Sequence, residues 1–417
     1  MGEAPRSTPR TVVYLTDVEG MWPRLESFCA GNPHVRLDAE GRLHVEGDVV
    51  FVYGGDAIDR GPAGRRVMAT LLDAKRRQPD RVVLLAGNRD INKLRLVREL
   101  RGAPPPRAPR ELETDAPSLL RWIFEHTMGA RFAFEHRRSE LEAEGRHASD
   151  AAVVESYLDD LAPSGPMRAY LHGCQLAYRA GATLFVHGGV GPESLLFVPL
   201  LGHVASVDAW VEALNRFYAE QLAWFERGEL DRSGVPRWQP LIAYQAPARG
   251  LRLNPESVVY GRRVDSFNNP LLLEAHVTSA LREEGVRRLV VGHTPNGDTP
   301  SLVREPGFEV VIGDNSHSRL PTASRLVITD ARVDASGETL LDGGIHESVR
   351  LARASDDEGS VLGLRTRDGF LVKGELESGD LLLFRYVEGY RAEQKAVRAD
   401  AIERATLALA REPIVMG

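Results

Sequence analysis

Cysteine is nearly absent from this chain: Cys29 and Cys174 are the only two in 417 residues. That excludes a disulfide framework and a cysteine-ligated zinc site, and it fits a reducing compartment. Long apolar runs are also missing. The longest, near Leu195 to Val207, is interrupted by Pro199, Gly202 and His203 and is too short to span a bilayer. Met1 to Thr11 is polar and lacks the apolar centre of a signal peptide. The expected location is therefore cytoplasmic, with no membrane partner. There is no basic excess either. A formal net charge of -7 argues against a nucleic-acid partner, although a local basic groove stays open. No GxxxxGK[ST] phosphate loop occurs, and no GxGxxG sits at a strand–helix junction. No repeat of solenoid period is present.

What is there is ordinary for a soluble globular protein: 43% hydrophobic and 27% charged residues. The length allows one large domain with insertions, or two to three domains. Short β-rich apolar runs alternate with helical patterns. Val12 to Leu15, Val49 to Tyr53, Val82 to Leu85, Thr183 to Val186, Arg288 to Val291 and Val310 to Ile312 read as strands buried on both faces. Arg65 to Arg77 and Val204 to Arg227 carry helical periodicity, and residues 117 to 180 read as mostly helical. This alternation predicts an α/β fold. After about Ala323 the pattern changes to short alternating segments separated by Gly-Asp and Asp-Gly turns, which predicts a small antiparallel sheet or barrel. Ala401 to Arg411 reads as a final helix. The expected organisation is a catalytic unit over 1–325, with helical insertions at about 95–180 and 195–255, followed by a small β-rich domain or extension over 326–417.

Five of the strands end at a ligand-type residue beside glycine: Asp17, Asp56, Asn88, His187 and His293. In open α/β sheets, ligand sites form outside the carboxyl ends of strands. One such ending is usually a turn, but five with oxygen and imidazole donors point to a metal site. A mixed Asp/Asn/His set suits Mn, Fe or Zn.

These residues fall in recognisable motifs. Gly55-Asp56-Ala57-Ile58-Asp59-Arg60-Gly61 resembles the GDxxDRG signature of the phosphoprotein phosphatase branch of calcineurin-like metallophosphoesterases. Gly87-Asn88-Arg89-Asp90 resembles GNH[E/D], His187-Gly188-Gly189 resembles HGG, and Gly292-His293-Thr294 resembles the GHT variant of bacterial members. Thr16-Asp17-Val18-Glu19-Gly20 stands where the family has GDxHG. The motifs run in the family order over roughly residues 11 to 320. The resemblance implies a four-layer sandwich of two mixed β-sheets flanked by helices. It also implies two divalent ions, with Mn expected and Fe, Mg or Zn as alternatives. Asp56 would bridge them, Asp17 and Glu19 would complete the ligands of the first ion, and Asn88, His187 and His293 those of the second. Arg60 would grip phosphate oxygens, unless it is a surface or capping arginine.

Two positions depart from the family. Glu19 replaces a histidine; as a harder donor it would favour Mn or Mg if it ligates, and it would otherwise cap the following helix or hold a water. Arg89 replaces the histidine that the family uses, with the partner at Asp59, to protonate the leaving group. Arginine stays charged and cannot be that acid. Paired with Asp59, it would instead place a fixed cation near the leaving group. A GNRD motif also resembles that of UDP-diacylglucosamine pyrophosphatases, whose phosphate leaving group needs little protonation. Other candidate proton donors are His317, His172 and Tyr260. Asp314 is a candidate for the site edge, and Arg262, beside Arg263, for a second phosphate clamp.

The expected activity is a metal-dependent phosphohydrolase acting on a phosphoester of a small metabolite or nucleotide. The alternatives are a pyrophosphate-link hydrolase, a serine/threonine protein phosphatase, and a non-catalytic metal- or phosphate-binding module. The insertions are large enough to form a cap, which favours a small enclosed substrate. The oligomeric state stays open.

Overall fold

The computed structural model describes residues 11–413, so the polar N-terminal segment read above lies outside the described residues apart from Thr11. Two mixed sheets pack face to face. In the larger one, Thr11–Leu15, Val49–Tyr53, Val82–Leu85 and Cys174–Gln175 run parallel. Arg325–Thr329 pairs antiparallel with Thr11–Leu15 on its other side. The second sheet sets Thr183–Val186, Arg288–Val291 and Phe308–Ile312 parallel. Its edges are the antiparallel strands Ala177–Ala180 and Ser301–Glu305.

Strand periodicity explains the layering. Successive side chains point to opposite faces. Val12, Tyr14, Val50, Val52, Val83 and Leu85 therefore meet Phe185, Val290, Leu302 and Val311 between the sheets. The alternate residues Val13, Leu15, Phe51, Tyr53 and Leu84 belong to the core shared with the helices. The result is the four-layer α/β arrangement expected, and the continuous apolar runs follow from burial on both faces. Among the described residues no helix is long and apolar enough to cross a membrane.

The insertions are helical, with one correction. Ala116–Thr127, Ala133–Ala143, Asp150–Asp160 and Pro166–His172 are helices. Residues expected to continue them, 174 to 180, are instead two short strands that join both sheets. The second insertion opens on a two-stranded ribbon and continues as the helix Val207–Arg227. Ser206 caps that helix, and Gly228 ends it in the left-handed conformation that glycine adopts without strain.

The β-rich C-terminal segment does not form a sheet of its own. Arg325–Thr329, Arg332–Leu340, His346–Ala354, Leu371–Leu376, Leu381–Val387 and Arg391–Val397 extend the larger sheet as an antiparallel meander to ten strands. The final helix expected over Ala401 to Arg411 is absent. A single 3₁₀ turn, Arg404–Thr406, stands there, after another at Ala399–Ala401. Ile402 and Leu407 pack onto Leu362, Phe370 and Val372, and Ala408 exchanges backbone hydrogen bonds with Arg365. Contact with the sheet overrides the local helix preference.

This meander reaches back to the motif core. The Tyr386 hydroxyl accepts the Gly297 N–H at 2.9 Å, Gln394 donates to Asp298 at 2.7 Å, and the buried Lys373 ammonium donates to the Asn296 carbonyl. The loop after His293 is thus held by the C-terminal strands. Burial pushes Lys373 down to about 7, with Asp298 opposing. An unfolded lysine titrates near 10.4. Between about pH 7 and that value the unfolded chain holds a proton that the folded chain has released, so stability rises with pH there. Below about 7 the folded state carries the full cost of the buried charge. The stability of Lys373→Met relative to the parent is expected to be more favourable at pH 6 than at pH 10. Urea unfolding at the two pH values checks this.

Candidate metal centre

The strand ends bring the five ligand-type residues together. Asp17 follows Thr11–Leu15, Asp56 follows Val49–Tyr53, and Asn88 follows Val82–Leu85. His187 and His293 follow the parallel strands Thr183–Val186 and Arg288–Val291 of the facing sheet. The backbone is bent to aim them. Asp17, Glu19, Asp56, Asp59 and His293 all have positive φ, between 50° and 102°. Such residues cost roughly 1–3 kcal/mol each, and they cluster at functional sites. Two glycines make the approach possible. A Cβ on Gly87 would stand 2.0 Å from the Asp56 carboxylate, and one on Gly292 would stand 2.4 Å from that of Asp17. The glycine beside each ligand is therefore a packing requirement.

Asp56, His187 and His293 place ligand atoms within 4.8 Å of one another, the one His/Cys/Asp/Glu cluster of this kind among the described residues. His187 Nδ1 is held by the Gly54 carbonyl at 2.7 Å. That leaves Nε2 facing Asn88 Oδ1 at 3.2 Å and Asp56 Oδ1 at 3.4 Å. A ring fixed through one nitrogen presents the other to a metal. The Nε2 of His293 is buried without a hydrogen-bond partner, which is costly unless something else satisfies it. This donor set, with Asn88, fits a divalent ion. Burial and Arg262 hold His293 well below its usual range, so the ring is neutral and one of its two nitrogens is a lone-pair donor. Burial opposes protonation of His187 too, but the Asp56 carboxylate outweighs it and raises the ring to about 10. A metal cation in that place would displace the proton.

Asp17 and Glu19 stand beside this cluster and have partners of their own. Both Asp17 oxygens accept the His293 N–H, at 3.2 and 3.1 Å, and Oδ2 also accepts the Thr16 hydroxyl at 2.5 Å. Glu19 Oε1 lies 2.6 Å from Arg89 Nε, and Oε2 lies 3.3 Å from Arg60. Burial raises Glu19 to about 7 against the pull of those two arginines.

Asp59 pairs with Lys93 at 2.6 Å, and Arg89 stands farther off at 3.8 Å. The Asp59–Lys93 pair is fully buried, and neither residue lines the cavity over the cluster. Arg60 reaches Glu19 but is also absent from that lining.

The cavity measures about 570 Å³ and is lined by Asp17, Glu19, Asp56, Asn88 and His293; the buried His187 is not part of the lining. Both insertions supply wall, through Glu125 to Gly129 and Gln245 to Pro247. Arg89, Arg95 and Arg262 line it together with the carboxylates Asp17, Glu19, Asp56, Glu125 and Asp314. Arg262 donates to the Tyr390 hydroxyl at 3.1 Å, while its Nε is buried and unpartnered. Tyr260 lies against the His293 ring, with centroids 4.9 Å apart. Asp314 and His317 also line the cavity. Burial and the arginines Arg60, Arg89, Arg262 and Arg24 push His317 down to about 3. At neutral pH it is uncharged and cannot act as an imidazolium acid. His172 is a correction: it pairs with Glu226 at 2.9 Å on the insertion and does not line the cavity. Arg263 turns away to Glu274 at 3.0 Å.

Three residues with clear roles were not singled out from sequence. Asp90 accepts the N–H groups of Asp56, Ala57 and Gly87, each at 2.9 Å, and so joins two ligand loops. Its place inside the quoted motif was the available signal. Lys93 stands one helical turn after Arg89, and that spacing was its signal. Tyr390 comes from outside the motif region, and nothing local marked it.

No family model matches the sequence, and no curated protein matches it. Among solved structures, the chain is similar to a cold-active protein-tyrosine phosphatase of a psychrophilic Shewanella species, with 15% identity, a TM-score of 0.45, and 83% of this chain and 82% of that chain covered. It is also similar to a protein serine/threonine phosphatase from Saccharomyces cerevisiae, with 10% identity, a TM-score of 0.36, and 95% and 82% covered. A metallophosphoesterase from Sphaerobacter thermophilus gives 12% identity, a TM-score of 0.28, and 77% and 84% covered. Likenesses this distant carry no argument about chemistry, which rests on the geometry above.

Proposed function

We propose that this protein is a metal-dependent phosphohydrolase, of the calcineurin-like type its motifs resemble, that cleaves a phosphoester of a small metabolite or nucleotide. One observation carries the reading: the buried Asp56, His187 and His293 cluster, with an unpartnered His293 Nε2, two of whose members line a cavity that Arg89 and Arg262 also line. Asp56, Asn88, His187 and His293 would hold the ion, with Mn expected. A bound divalent ion supplies Lewis acidity and makes hydroxide available near neutral pH.

The chain's own groups do the rest. The Gly54 carbonyl sets the His187 tautomer. Arg89 and Arg262 meet the phosphoryl oxygens, as guanidinium groups do well. The walls that both insertions add to the cavity support a small substrate over an extended protein chain. Two buried free cysteines are consistent with a cytoplasmic setting.

A second reading is favoured by the loss of two candidate acids at the leaving-group side, with Tyr260 the named donor that still lines the cavity. Arg89 cannot release a proton, and His317 is already neutral. A substrate whose leaving group is itself a phosphate needs neither, so a pyrophosphate link is the alternative bond. The test is turnover by chelator-treated protein with Mn restored. p-Nitrophenyl phosphate is expected to turn over; faster turnover of a nucleoside monophosphate than of a dinucleoside pyrophosphate supports the phosphoester reading, and the reverse order supports the pyrophosphate one. Hydrolysis of a phosphopeptide in preference to both would transfer the reading to a protein phosphatase. No turnover on any of them would leave only a binding module.

A further inference from the structure

The two departures from the motif pattern, Glu19 and Arg89, are 70 positions apart in sequence and in direct contact in the fold, Nε to Oε1 at 2.6 Å. The side of the site that the motif resemblance gives to a first ion would draw on Asp17, Glu19 and Asp56. Each of these already meets a donor or a cation. Glu19 has Arg89 on one oxygen and Arg60 on the other. Asp56 Oδ2 faces Arg89 Nε at 3.6 Å. Asp17 receives the His293 N–H and the Thr16 hydroxyl. On the opposite side the donor set keeps a buried nitrogen with no partner.

Arg89 is fastened where it stands. Its own N–H donates to Asp56 Oδ1 at 2.8 Å, and its guanidinium is largely buried against Glu19, with Asp59 within 3.8 Å. The residue is thus tied to Asp56 at its backbone and to Glu19 at its head group. A guanidinium carries one positive charge and a planar array of donors. That meets the carboxylates without ligation and repels a divalent ion from the same place.

We propose that the protein binds one catalytic divalent ion, at Asp56, Asn88, His187 and His293, and that the Arg89 guanidinium, paired with Glu19, occupies the position of the first ion. The two substitutions are then one exchange: a histidine ligand becomes the counter-ion of an arginine. This inference rests on the metal-dependent reading above and departs from the two ions that the resemblance implies.

The experiment is metal counting on full-length protein loaded with excess Mn(II) and desalted, with the Mn electron paramagnetic resonance spectrum recorded alongside. One equivalent with an isolated six-line signal is expected. Two equivalents with an exchange-coupled signal would overturn the proposal. No retained Mn, nor Fe, Zn or Mg in parallel loadings, would instead overturn the metal reading beneath it. Arg89→Ala is expected to take up a second equivalent at millimolar Mn, and a variant that still stops at one counts against the guanidinium as the replacement. Should that variant not fold, Glu19→Gln decides. Retention of the single equivalent supports the proposal, and loss of more than half would make Glu19 a ligand and overturn it.

Discussion

His187→Ala is expected to lose the bound metal and to cut kcat/KM by on the order of 10³ or more, equivalent to about 4 kcal/mol of transition-state stabilisation. The ring is buried at the meeting point of both sheets and fixed through Nδ1 by the Gly54 carbonyl. Its Nε2 faces Asn88 and Asp56. Deleting it removes a donor and leaves Asp56 without its strongest stabilising neighbour, since His187 is the main group holding that carboxylate low against the cost of burial. Changes to groups that only support ligands cost about 10–100-fold in metal affinity, so a larger loss marks a direct ligand. Metal content after desalting and initial rates on p-nitrophenyl phosphate measure the two effects. Activity within about tenfold of the parent would remove His187 from the centre.

Asp90→Ala is expected to cause the largest loss of stability in the site, about 3–5 kcal/mol. Its carboxylate is fully buried and takes three backbone N–H groups from two loops. Each orphaned buried donor costs about 1–3 kcal/mol, less than additively within one network. Two of the three donors, Asp56 and Gly87, carry or adjoin metal-site residues, so metal affinity falls with stability. Asp90→Asn keeps one acceptor oxygen and is expected to recover part of both. Urea unfolding of the metal-free proteins and Mn titration separate the terms. An alanine variant within 1 kcal/mol of the parent would mean that water replaces the carboxylate.

The strands and their terminal ligands were legible because parallel strands buried on both faces have little choice of composition. Val12 to Leu15 or Val82 to Leu85 can only be apolar, so Asp17 and Asn88 stand out at their ends. What stayed hidden depends on pairing across the chain. Nothing near Glu19 announces Arg89 as its partner, and Asp59 gave no hint of Lys93, because each pair joins a loop to the helical turns that follow Val82–Leu85. Residues 174 to 180 read as helix because they adjoin a helical insertion; their strand pairing comes from partners at Leu84 and Val186. Tyr390 reaches the cavity because the meander carries the chain back across the sheet, a consequence of topology alone.

The most direct test of the metal centre is anomalous diffraction at the Mn edge from crystals grown with Mn(II). The account predicts a peak within about 2.0–2.3 Å of His187 Nε2, His293 Nε2, Asn88 Oδ1 and an Asp56 oxygen. A map with no peak among these four side chains, or with Mn only at surface carboxylates, would contradict it.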